Sequence, residues 1–127
     1  MRHWSYGYLG RSFACWPLVR EVYAEQRGIA LPAYEGPVSG AEAQEIAVAL
    51  GGTGDWPWET VDRRAAREFD LVTFRIAGVE AHVGLMAGTD LFLHAGEGIT
   101  SRLDRLSAEH WRALTCRFLR YRDPSHV

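Results

Sequence analysis

Residues 70–95 constrain this chain more than any other stretch. Three runs rich in aliphatic and aromatic residues follow one another: DLVTFR (70–75), VEAHVGLMA (79–87) and DLFLHA (90–95), punctuated by Ala77-Gly78 and by Gly88. Runs of this kind bounded by glycine turns read as consecutive antiparallel strands. The second and third carry one histidine each, His82 and His94, twelve residues apart. A loop Ala87-Gly88-Thr89 centred on Gly88 predicts the two histidines directly opposite each other on one sheet face. Val83, Leu85, Leu91 and Leu93 then point to the other face. Gly84, beside His82, is expected to leave room for an approaching helix or substrate.

Upstream, Cys15, Leu18, Val19, Val22 and Tyr23 recur at helical spacing, with Arg20, Glu21 and Glu25 between them. Pro17 is tolerated in a first turn, so the helix is expected to open near Cys15 and to stop at Gly28. Ser39 followed by Glu42 is a capping-box pattern and predicts a second helix from Ser39 to Leu50, stopped by Gly51 and Gly52. Residues 1–14 read as an irregular arm, 29–38 as a proline-containing loop, and 51–58 as a loop carrying Trp56 and Trp58. Residues 59–69 fit a short helix or a strand and turn. After the third strand, Gly96 and Gly98 frame a turn before a short edge near Ile99. A helix capped by Ser107 is expected to run to Leu114, and Cys116 to Arg122 alternates as a final strand. Helices first and a largely antiparallel sheet afterwards is the α+β pattern, here in one domain over residues 1–127.

Composition narrows the function classes. The net charge is −2 and no basic run occurs, which argues against nucleic-acid binding. All 14 cations are arginine, so lysine chemistry such as a Schiff base is excluded. Two cysteines in 127 residues do not make a disulfide scaffold. There is no apolar run long enough to span a membrane. The opening MRHWSYGYLG lacks the apolar core of a signal peptide, so the expectation is a protein made in the cytoplasm and carried by something else wherever it acts outside.

Cys15, His82 and His94 form the constellation with chemistry in it. Unpaired N–H groups and the dipole at a helix start stabilise a thiolate. A thiolate beside a histidine that is oriented by a second polar group is an activated nucleophile. Two other readings stay open on spacing alone: three structural core residues, or a Cys/His/His metal site, although no CxxC or HxxxH pair accompanies it. Trp4, Tyr6 and Tyr8 either line a cleft or pack the arm onto the core. Trp56 and Trp58 either bind glycan or a neighbouring protein, or pack. Cys116 reads as core, and Arg102, Arg105 and Arg112 as a solvated face. His3, His110 and His126 have no partner pattern.

Three segments carry a resemblance: FACWPLVREVYAEQRGIALPAY (13–34), FDLVTFRIAGVEAHVGLMAGTDLFLHA (69–95) and WRALTCRFLRYR (111–122). With them the chain resembles the NlpC family (the NlpC/p-sixty group) of papain-like cysteine endopeptidases of the cell wall. It looks most like the short members found in phage tails and phage-like particles. The resemblance implies Cys15 as nucleophile, His82 as base and His94 as the residue that orients the base, with no cofactor. It also implies the peptidoglycan stem peptide as substrate, tail-tip or baseplate hub proteins as partners, and action at the periplasmic cell wall by way of the particle. The sequence departs from the family pattern at Ala14, where an Asp is usual, at Pro17, where a Gly is usual, and at Glu68-Phe69-Asp70, which keeps only the Asp of Pro-Gly-Asp. The Ala14 departure leaves room for a structural tail module that has lost useful activity, and a thiol acyltransferase or amidase on the same fold is a third alternative.

Overall fold

The computed structural model describes residues 3–11, 15–31, 58–76, 79–96 and 99–122, without the side chains of Cys15, Val79, Glu80, Ala81 and Ile99. The expected helix from Ser39 to Leu50, the turn at Ala77-Gly78, Trp56 and His126 lie outside the described residues.

The helix expected at Cys15 is present as α1 (Cys15–Val22). It continues as a wider π-helical turn (Tyr23–Arg27) and ends at Gly28, whose φ of 65° is the left-handed conformation that glycine accepts at a helix end. Six strands follow: β1 (Trp58–Val61), β2 (Leu71–Ile76), β3 (Val79–Met86), β4 (Leu91–Gly96), β5 (Ile99–Arg105) and β6 (Thr115–Tyr121). A short helix, α2 (Glu109–Leu114), joins the last two. They form one sheet in the order β1-β6-β2-β3-β4-β5, and every described pairing is antiparallel. The fold is α+β.

Alternation along the strands makes two apolar faces. Val83, Leu85, Leu93, Ala95, Leu71 and Leu119 pack against Trp16, Leu18, Val19, Val22 and Tyr23 of the α1 segment. Val72, Phe74, Met86, Phe92 and Phe118 pack on the other side with Leu106 and with Trp111 and Leu114 of α2. The histidines rise from this second face.

Several expectations are corrected. Residues 58–61 are an edge strand whose Trp58 is buried and stacks on Tyr23 at 5.8 Å, so Trp58 is core and not a loop anchor. The feature near Ile99 is a full seven-residue strand, hidden in the sequence because its residues are mostly polar. The arm contains a 3₁₀ turn (Trp4–Tyr8). Tyr8 is buried in the α1-side core and Trp4 stacks on Phe69 at 4.9 Å, whereas Tyr6 is exposed. Beyond the turn, Gly10 N–H donates to Ser101 O and Ser101 N–H to Arg11 O, both at 2.8 Å, so the arm pairs with the outer edge of β5.

The β3–β4 register also differs. Leu85 opposes Leu93 and Met86 opposes Phe92, and Ala87 N–H donates to Leu91 O at 2.9 Å. The loop is therefore Gly88-Thr89-Asp90. The physical reason is Asp90, whose carboxylate is drawn out of the strand to accept from Ser107 N (3.0 Å) and Ser107 Oγ (2.8 Å). Ser107 is thus tied to the hairpin, and the N-cap position of α2 belongs to Ala108. Gly84 leaves no room for a visitor: a Cβ there would sit 2.8 Å from Phe92 Cδ2 and 3.3 Å from Val72 Cγ1.

Candidate functional site

The β3–β4 register, carried one step beyond Leu85–Leu93, sets His94 across from Gly84, so His82 and His94 are diagonal neighbours on their face. Diagonal pairs stand about 7–8 Å apart at Cα, still within reach of long side chains. The imidazoles close the gap at their edges: His82 Nε2 lies 3.0 Å from His94 Nδ1, with the rings nearly perpendicular at 80°. Gly84 makes this possible indirectly, because the Phe92 ring occupies the space a side chain would need and lies 4.7 Å from the His94 ring.

The contact is buried. His94 is 1% exposed and His82 8%. Trp111 of α2 covers both, edge-on to His94 at 4.8 Å and roughly parallel to His82 at 6.1 Å. Phe74 flanks His82 at 5.7 Å. Asp90 holds this cover in place, since it joins the β3–β4 loop to the residues leading into α2.

A third polar residue completes a chain that the sequence did not reveal. His94 Nε2 lies 2.6 Å from Asp104 Oδ2, and Arg102 Nε donates to the same oxygen at 2.8 Å. Asp104 stands opposite Phe92 and Arg102 opposite His94, both on the histidine face of β5. Arg102 is therefore part of the polar chain and not merely a solvated cation. Extending the strand near Ile99 by its alternation would have found Asp104, as it falls on the same parity as Arg102. Burial lowers the pKa of His94, and the opposing hydrogen bond to Asp104 does not overcome it, so the ring is neutral at pH 7. Burial tends to raise the Asp104 pKa, but the hydrogen bonds from His94 and Arg102 outweigh it and hold the carboxyl below its usual range.

The structure thus brings His82 and His94 together. Cys15 is described only through its backbone, as the first residue of α1, and its thiol lies outside the described residues. The body of α1 packs on the Val83/Leu85 side of the sheet, opposite the imidazoles. Cys116 is half-buried in β6, with Arg75 Nη2 3.5 Å from its sulfur. His3 pairs with Glu68 at 3.2 Å, and His110 packs on Trp111 at 4.8 Å. Among the described residues, no group of three or more His, Cys, Asp or Glu is arranged to hold a metal ion. None of the described helices is long and apolar enough to cross a membrane.

Comparison with known proteins gives these features a setting. The profile of the NlpC/P60 family matches residues 2–120. No curated protein matches the chain. Among solved structures, a protein similar to a lipoprotein of the NLP/P60 family from Staphylococcus aureus subsp. aureus Mu50 superposes with a TM-score of 0.63 and 22% identity, over 94% of this chain and 39% of that one. An NlpC/P60 family protein from Bacillus cereus ATCC 10987 gives 0.65 and 16% identity, over 94% of this chain and 38% of that one. The chain spans about two-fifths of the length of these proteins, and the likeness is one of fold.

Proposed function

Because the chain belongs to the NlpC/P60 family, a membership that suggests a cell-wall cysteine peptidase, we propose that it is a cysteine endopeptidase cutting amide bonds in the stem peptide of peptidoglycan. The observation that carries the reading is the buried His82–His94 contact, in which one imidazole holds the other. In this reading His82 takes the Cys15 thiol proton at Nδ1, the sulfur attacks the amide carbonyl, and the backbone N–H of Cys15 at the head of α1 helps to hold the oxyanion. His82 gives that proton to the leaving amine as the C–N bond breaks, then takes one from the water that hydrolyses the thioester and returns it to the departing sulfur. Since His82 Nε2 is engaged with His94, the proton passes through Nδ1.

The proposal extends to the setting. The likeness of residues 13–34 and 69–95 to short family members of phage tails suggests a component of a phage tail tip, or of the baseplate of a phage-like particle, acting at the periplasmic wall. Tail hub proteins are then its partners. Ala14, in place of the usual Asp, favours one competing reading: a structural tail module with little activity. Digestion of purified peptidoglycan and free stem peptides, read by mass spectrometry beside Cys15→Ala, separates the two. A defined product lost in the variant is expected. Absence of any product, together with a Cys15 inert towards iodoacetamide, would replace the peptidase by the structural module.

A further inference from the structure

We propose that Asp104 is a positioning residue of this site: through His94 it sets the ring tautomers of both histidines, so that His82 presents the lone pair of Nδ1. The Asp104 carboxylate carries no proton at neutral pH and only accepts, so the 2.6 Å contact requires His94 to donate from Nε2. A neutral imidazole has a single ring proton. His94 Nδ1 is then an acceptor, and the 3.0 Å contact requires His82 to donate from Nε2. The one remaining ring position, Nδ1 of His82, holds the lone pair that a base needs.

Without Asp104 the same two rings fit equally well in the reverse sense. His94 would donate from Nδ1, His82 would accept at Nε2, and the proton of His82 would sit on Nδ1, blocking the base. The carboxylate breaks this symmetry. Arg102 holds it in place by donating from Nε to the shared oxygen at 2.8 Å. Among the described residues the other ring neighbours of His94, Phe92 and Trp111, are apolar contacts, and His110 packs on Trp111. The kinetic consequence rests on the peptidase reading, whereas the tautomers do not.

The test uses the full chain labelled with ¹⁵N-histidine, with ring tautomers read by long-range ¹H–¹⁵N spectra at pH 7, in wild type, Asp104→Ala and Asp104→Asn. Wild type is expected to show Nε2–H on both residues. Asp104→Ala is expected to show a second population with Nδ1–H on His82, while Asp104→Asn, which keeps an acceptor oxygen, largely restores the wild-type pattern. Where a cleavable substrate is in hand, kcat of the Ala variant is expected to fall with little change in KM, by between about 10-fold and 10⁴-fold, the upper figure being that for the orienting Asp of a Ser-His-Asp triad. Nδ1–H on His94 in the wild type would overturn the proposal, as would unchanged tautomers in Asp104→Ala. Both are read in the spectrum whether or not peptidoglycan is cut, and the wild-type spectrum decides even where the Ala variant does not fold.

Discussion

His82 and His94 touch at 3.0 Å without being cross-strand partners. Their contact is a diagonal one, made across the space beside Gly84 and closed over by aromatic rings. What supports the rings therefore matters as much as the rings themselves.

Gly84→Ala is expected to destabilise the protein by about 1–3 kcal/mol, the range for overpacking a well-filled core. The added Cβ meets Phe92 Cδ2 at 2.8 Å, so the ring, which lies 4.7 Å from that of His94, must shift. Pairing the change with Phe92→Leu should recover part of the loss. Urea unfolding of the two single variants and the double variant forms a cycle, and strictly additive losses would show that Gly84 and Phe92 do not share this space.

Trp111→Ala uncovers both imidazoles. The residue is half-buried, so the loss is expected near 2–3 kcal/mol, below that of a fully buried tryptophan. The more telling effect is on His94. Its pKa is lowered chiefly by burial, so admitting water should raise it. An NMR titration of the His94 ring in the variant checks this, and a pKa that stays put would mean that Phe92 and the sheet alone provide the dry environment.

Acid should destabilise the fold in a defined order. His94 has its folded pKa below the ordinary 6.5, so the unfolded chain binds more protons there and stability falls as pH drops below about 6.5. Asp104 has its folded pKa below the ordinary 3.8, which adds a second loss at lower pH, as its carboxylate is protonated. Both shifts act in the same direction. The melting temperature is expected to be flat between about pH 7 and 9, below the range in which the buried tyrosines would ionise, and to decline from pH 6.5 to 5, and His94→Phe should flatten that first decline.

Arg120→Leu removes the partner of a buried carboxylate. Arg120 Nε and Nη2 donate to Asp70 at 2.9 and 2.8 Å, and the Asp70 side chain is 3% exposed. Breaking such a pair from one side costs about 3–5 kcal/mol. Because Arg67 N–H still donates to Asp70 at 2.9 Å, the lower end is expected, measured by denaturant unfolding. Replacing both partners by apolar residues should cost less than the single change.

The parts legible in the sequence are those with strong alternation or strong punctuation. Val83, Leu85, Leu93 and the α1 residues Leu18, Val19 and Val22 declared one core face, and Gly28 declared a helix end. His82 and His94 declared a shared face by parity alone, which survives a shift of register by two residues. The register itself was not legible, since it depends on Asp90 bonding to Ser107, a contact between loops distant in sequence. Nor was β5, because an edge strand needs few apolar residues and Ser101, Arg102 and Asp104 look like a solvated turn. Asp104 was missed with it. Trp58 looked like a loop residue because Glu59 and Thr60 after it face solvent on an edge strand.

The pairing of the arm with β5 has one more consequence. At Ser101 the main-chain donor and acceptor on the outer side of β5 are already satisfied, by Arg11 and Gly10. A strand from another chain cannot add there unless the arm is first peeled away, so the arm acts as an intramolecular guard against strand addition and the edge-to-edge aggregation that follows from it. Arg11 lies four residues before Cys15 and Ser101 three before Asp104. The bonds that guard this edge therefore lie, along the chain, within a few residues of both the head of α1 and the Asp104 carboxylate.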